Sequence, residues 1–248
     1  MEKKYILTDD VIDFNGHTLH RIKAVRDFDC VKAGDLGGFI ESEKNLDHDG
    51  DAWVFNNAKV ADDARVVGDA KVFGDACVTC DAWVSDNARV SDDARVFGAA
   101  RVFGDAKVFN NAKVFSDARV FGAAWVFGDA WVFDDARVFD DAKVSNNAKV
   151  SGDAWVFGYA CVTGDACVTS NAWVHAPFDI ALIKGFGSKF RATSFFRCVD
   201  GLVRCQCGCF CGTVDEFRSK VRETHGNSKY AKEYLMIADL MELHFKED

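Results

Sequence analysis

DAWVFN, NAKVAD, DARVVG, DAKVFG: residues 51–74 open an unbroken run of six-residue units that closes with NAWVHA at 171–176. Twenty-one units follow one another without insertion, each with Ala at its second position and Val at its fourth. A unit this short buries nothing alone and must stack on its neighbours. Two residues apart on a strand means the same face, so Ala and Val point inward and position three points out. Position three is only Lys, Arg, Trp or Cys, and all six Trp of the chain stand there. Positions six and one are mostly Gly, Asp, Asn or Ser, residues that accept left-handed backbone and tight corners. A short strand and a corner, repeated in phase, predict a parallel β-helix.

The spacing of Val and Ala closely resembles the hexapeptide repeat of left-handed parallel β-helix proteins, in which three units make a triangular coil. That resemblance implies about seven coils and, at about 4.8 Å each, a prism about 34 Å long. The frequent Phe after Val departs from the family's usual small residue, and a right-handed or four-sided helix stays open. The expected fold is mainly β, with caps at both ends to cover open sheet edges. Residues 1–50 read as an N-terminal β cap with an Asn15-Gly16 hairpin turn. GGFIES and EKNLDH look like degenerate first units, and Asp49-Gly50 is a two-residue insertion before the 51–176 array. Residues 177–248 read as a small α+β module. Strands are expected over 190–198 and 202–210 around Asp200-Gly201. Thr213 to Glu216 is a capping box, His225-Gly226 closes the first helix, and a second spans 229–244. Phe217 and Val221, with Tyr234, Ile237, Leu240 and Leu243, are expected to lie on the hairpin.

The segment AVRDFDCVKAGDLGGFIESEKNL, the array, and the tail CF-x-GTVDEF-x5-ETHGNSKYAKEY together resemble a family of bacterial and prophage-encoded hexapeptide-repeat proteins, labelled acyltransferases or polymer-forming proteins. The resemblance spans nearly the whole chain. It implies a phage-associated, cytoplasmic setting and a fold, and little chemistry.

The N-terminus MEKKYILTDD lacks an apolar h-region and no run approaches 18 apolar residues, so neither export nor a membrane span is expected. The ten Cys are therefore expected to be reduced thiols. A net charge of −9 disfavours general nucleic-acid affinity. The array holds 12 Lys or Arg at position three against 18 Asp at positions one and six, a net of −6. With 18 residues per coil, one side stacks Arg101, Arg119 and Arg137 beside Phe103, Phe121, Phe139 and Phe157. Another stacks Phe97, Phe115 and Phe133 beside Arg95, Lys113 and Trp131. The corner Asp rows are expected to serve as counterions to the cation columns.

Eleven Phe of the array occupy position five and face outward in this register. They form either self-covered ladders under Lys and Arg stems or a surface for a protein partner or a second copy. Single-stranded nucleic acid could stack on such columns, but Asp on both sides opposes it. The expected function is therefore interaction or scaffolding by the β-helix surface, directed at a host protein or at self. Two alternatives are a self-assembling polymer and a CoA-dependent acyltransferase. In the last, acyl-CoA would be the donor and His175, the only His of the array, the weak candidate for general base. Fold alone does not establish that activity. Cys205, Cys207, Cys209 and Cys211 alternate as on one strand, which would line four thiols on one face. This is a weak metal candidate, since zinc is usually wrapped by two knuckles. Asp-rich corners need no calcium.

Overall fold

The computed structural model of the protein describes residues 3–246. Residues 53–174 form a parallel β-solenoid of two-residue strands, each made of positions three and four of a unit. The strands stack in three parallel sheets, seven to a side, and the first side is extended by Leu36–Ile40 of the degenerate first turn. Counting the degenerate first turn, the shaft has about eight turns. Register is strictly 18 residues per coil, as in Arg101 against Arg119 and Val102 against Val120. Before the insertion it is 20, with Ile40 beside Val60 and Leu46 beside Val66. Asp49-Gly50 accounts for the difference, and GGFIES and EKNLDH are the first units of their columns.

Every Ala at position two and every Val at position four of the array is at most 2% exposed. Only small and β-branched side chains fill the interior, so neighbouring coils approach closely and their backbones pair. The N–H of position three bonds to the position-two carbonyl one coil on (Arg101 to Ala118, 2.9 Å), and that of position five to the position-four carbonyl (Phe103 to Val120, 3.0 Å). Position six makes the corner. From Asn56 to Ser170 its φ lies between 53° and 73° whether the residue is Gly, Asp, Asn, Ser or Cys. Ala176, with φ −136°, ends the series.

The N-terminal segment solves the problem of the open edge. Ala52, Ala58 and Ala64 open the 51–176 array, and only the degenerate units and the N-terminal segment lie before them to donate to their carbonyls. Phe39 donates its backbone N–H to Ala58 (2.9 Å), the Lys4 ammonium donates to Ala52 (2.8 Å), and the Asn45 side-chain amide donates to Ala64 (2.9 Å). Lys4 is fully buried, and burial lowers its pKa to about 8. A hairpin of Tyr5–Phe14 and His17–Ala24, turned through left-handed Asn15 and Gly16, continues the first sheet.

At the other end an antiparallel sheet runs Ile180–Ile183, Thr193–Arg197, Val203–Cys207, Phe210–Thr213, covered by α1 (Val214–His225) and α2 (Lys229–Phe245). The Thr193–Arg197 strand joins two cores through its alternation: Phe196 enters the shaft's core and Phe195 the module's, both fully buried. The Ser194 hydroxyl takes the N–H of Cys167 in the last first-side strand (2.8 Å). The capping box forms as expected, with Glu216 N–H donating to Thr213 Oγ1 (3.3 Å) and Thr213 N–H to Glu216 Oε2 (2.7 Å).

Two expectations for this module are corrected. The buried face of α2 is Ala231, Tyr234, Ile237, Ala238, Met241 and Phe245, while Leu240 (54% exposed) and Leu243 (70%) face away from the hairpin. Tyr234, Ile237 and Met241 are spaced to follow one helical stripe, and the two leucines fall outside it. The run Val203 to Thr213 is not one strand: Gly208, with φ 63°, folds it into a tight hairpin at Gly208-Cys209. Cys205 is fully buried against the helices, Cys209 sits in the turn, and Cys211 pairs with Gln206 on the adjacent strand. The four thiols do not line one face.

Candidate binding surface

On each side of the shaft the outward residues form two columns, one from position three and one from position five. The Phe columns close on themselves. Phe103–Phe121 and Phe121–Phe139 stack at 4.8 Å between centroids with planes 1° apart, and Phe139–Phe157 at 4.9 Å. Phe97–Phe115 and Phe115–Phe133 stack at 4.9 and 5.0 Å on the first side, and Phe109–Phe127 at 5.0 Å on the second. The coil rise imposes this separation, and parallel rings at this distance cover each other's faces. Each ladder ring is thus half-buried, with an edge left to solvent.

The cation columns differ between sides. On the first, Trp131 lies between Lys113 (4.7 Å) and Lys149 (4.8 Å). On the second, Trp125 lies between Lys107 (4.6 Å) and Lys143 (5.5 Å). In both, an indole separates two ammonium groups and attracts each. Cations also follow one another directly as Lys71, Arg89 and Lys107 on the second side and as Arg95 and Lys113 on the first. On the third side the run is Arg101, Arg119 and Arg137, of which only the last lies over an indole, Trp155, at 4.7 Å. Arg101 and Arg119 are exposed.

The corner carboxylates make no close ion pair with these cations, so any counterion role is exerted at longer range. Asp62, Asp86, Asp92, Asp134 and Asp140 each accept the position-six N–H one coil on, from Cys80, Gly104, Asn110, Gly152 and Gly158, at 2.9 to 3.4 Å. An Asp side chain is short, and from the corner its nearest donor is the next corner's amide. Among the described residues, Lys71 is the one array cation with a carboxylate within 4.0 Å, and that carboxylate, Asp29, belongs to the N-terminal segment. The third side therefore presents an Arg column without a close carboxylate beside an aromatic ladder. At its start, where position five changes from Phe103 to Ser85, Trp83, Arg101 and Phe103 border a hollow of about 300 Å³.

His175 ends the same ladder. Its ring meets Phe157 at 4.9 Å, and its backbone N–H donates to Asp179 Oδ2 at 3.1 Å. The array carries no loop to stand over it as a donor cleft. Asp179 also accepts from Ala176 N–H and pairs with Arg197 Nε at 3.0 Å, so this corner anchors the C-terminal module. Burial raises the thiol pKa of Cys205 well above the ordinary range.

A three-residue cluster absent from the sequence reading joins the N-terminal hairpin to the shaft. His17 Nδ1 lies 3.3 Å from Glu41 and its Nε2 3.3 Å from Asp62, and the three offer ligand atoms within 4.8 Å of one another. Both imidazole nitrogens already face carboxylates, and Glu41 accepts the Asp62 N–H at 2.6 Å. The cluster thus closes through its own hydrogen bonds and serves as a clasp. All ten Cys are free thiols. Among the described residues no helix is long and apolar enough to cross a membrane.

Comparison with known proteins agrees with this architecture. The family model for the YdcK beta solenoid repeat matches residues 88–104, which lie within the array. No curated protein matches the chain. The protein is a β-solenoid repeat protein.

Proposed function

We propose that the protein is a binding scaffold whose third side takes an extended acidic segment of a protein partner. The observation that carries this reading is the exposed pair Arg101 and Arg119, stacked in register without a close carboxylate in a chain of net charge −9. Like charges held one coil apart repel, and an anionic ligand laid along the column relieves that cost while apolar groups rest on the Phe edges. The sequence resemblance adds a bacterial cytoplasmic setting, phage origin and a host protein as partner. Acyl transfer has less support: it rests on fold analogy, and His175 stacks on Phe157 rather than facing a donor cleft.

The test is the affinity of a labelled oligoglutamate peptide for three proteins by fluorescence anisotropy. The triple variant Arg101→Gln, Arg119→Gln, Arg137→Gln is expected to bind at least about tenfold more weakly than the natural chain. Arg89→Gln, Lys107→Gln, Lys143→Gln removes the same charge from the second side and is expected to bind as the natural chain does. Equal losses in the two variants would mean that net charge alone governs binding and would sink the assignment. CoA titration of His175→Ala against the natural chain tests the alternative.

A further inference from the structure

The C-terminal module contains a cleft of about 290 Å³ between the Gly208-Cys209 turn, the chain at 187–191, and helices α1 and α2. Phe210, Phe217 and Tyr234 form its floor, and Lys189, Arg191, Lys220 and His225 line it with no Asp or Glu among them. Among the described residues neither Lys189 nor Arg191 has a carboxylate within ion-pair distance, whereas Lys220 shares Glu223 at 3.0 Å. An acidic chain has here gathered cations around an aromatic floor.

The approach of the 187–191 chain to the helices is built rather than incidental. Gly187, with φ 72°, lies so close to the Tyr234 ring that an added Cβ would fall 2.1 Å from it, and its N–H donates to Glu233 at 2.9 Å. Phe190 has φ 52°, a conformation a bulky residue adopts only when its surroundings hold it there. Phe190 is itself 65% exposed, while Lys189 and Arg191 on either side both line the cleft. Gly208, with φ 63°, makes the turn, and the Arg191 guanidinium lies beside it. Burial and the neighbouring Cys207 thiol raise the Tyr234 pKa, leaving its hydroxyl a donor at neutral pH.

We infer that this cleft binds a small organic anion, an apolar body carrying a carboxylate or phosphate head. The aromatic floor takes the body, and Lys189 and Arg191 take the head by charge-assisted hydrogen bonds. Its volume lies near the lower end of ligand pockets, about 300–1,000 Å³, which restricts the ligand to roughly the size of one substituted ring.

The experiment is titration of the full chain with phenyl phosphate, benzoate and neutral benzyl alcohol, followed by calorimetry and by NMR shifts of C-terminal residues. Both anions are expected to bind, and benzyl alcohol at least about tenfold more weakly. The double variant Lys189→Gln, Arg191→Gln should weaken both anions by about tenfold or more with an unchanged melting temperature, because both side chains are exposed. Thr224→Trp, placed at an exposed lining position on α1, should block all binding. Benzyl alcohol binding as tightly as the anions, unchanged affinity in the double variant, or no binding by either anion would each overturn the assignment. Comparison of the two anions separates carboxylate from phosphate as the preferred head.

Discussion

In the shaft a residue's task follows from its place among six, whereas in the C-terminal module it follows from partners found nowhere in the local pattern. Val120 and Val138 do the same thing one coil apart. Phe195 and Phe196, adjacent in sequence, serve two different cores. The shaft is therefore stabilised by nearest-neighbour terms repeated along its length, and the module by a few large side chains that meet once. The binding assignments follow the same division: a periodic column on the shaft, a single cleft in the module.

The largest effects should come from the cores. Val120→Asp places a carboxylate in an interior of Ala and Val with no partner, and a loss of more than about 3 kcal/mol is expected by thermal unfolding. A change below about 1 kcal/mol would mean that the coils part easily and that the nearest-neighbour description fails. Phe217→Ala removes a buried ring that meets Phe195 at 5.9 Å and Tyr234 at 5.6 Å, and about 3–5 kcal/mol should be lost from the module alone. Hydrogen exchange should show shaft amides still protected; their joint exposure would merge the two regions into one cooperative unit.

On the shaft's surface the cost is smaller. Phe121→Ala opens a half-buried ladder between Phe103 and Phe139, and about 1–2 kcal/mol should go. No measurable loss would show that the rings cover nothing.

Acid gives the smallest effect and the cleanest contrast. In the module, Arg204 holds Asp200 at about 2, the Thr213 N–H lowers Glu216, and Arg218 lowers Glu242. Each folded value lies below the unfolded one, so their contribution is complete above the ordinary carboxylate range and disappears as pH falls through the folded values. The Ala and Val core of the shaft has nothing to titrate. Between about pH 4 and 2, module resonances should broaden or shift before those of the shaft core, with a modest change because these carboxylates are exposed. Simultaneous loss of both sets would contradict the division.

This contrast also sets what the sequence made legible. Ala and Val at fixed places announced the inward face, and Gly, Asp and Asn at position six the corner, because each coil imposes the same requirement. The stacked Phe rows followed from the 18-residue register. Where chemistry depended on reach rather than sign, the pattern said less: Asp and Arg attract, but the corner Asp meets a backbone N–H first. Lys4 belongs to no repeat, and Asn45 takes position three of the degenerate unit EKNLDH, where no array unit has Asn, so neither donor to the first full coil carries a periodic signal. On α2, apolar residues lie on two sides, and Leu240 and Leu243 looked as apolar as Ile237 and Met241 until the sheet fixed the rotation. The alternation of four cysteines concealed the turn that Gly208 makes.

The most direct measurement is deletion of one whole coil, residues 105–122, with the acidic-peptide affinity and far-UV circular dichroism of the product. The register resumes across the cut, so a folded shaft one coil shorter is predicted, with affinity weakened about as much as by Arg119→Gln alone. An unfolded product would contradict the nearest-neighbour architecture, and a folded one with unchanged affinity would contradict the Arg column as the binding surface.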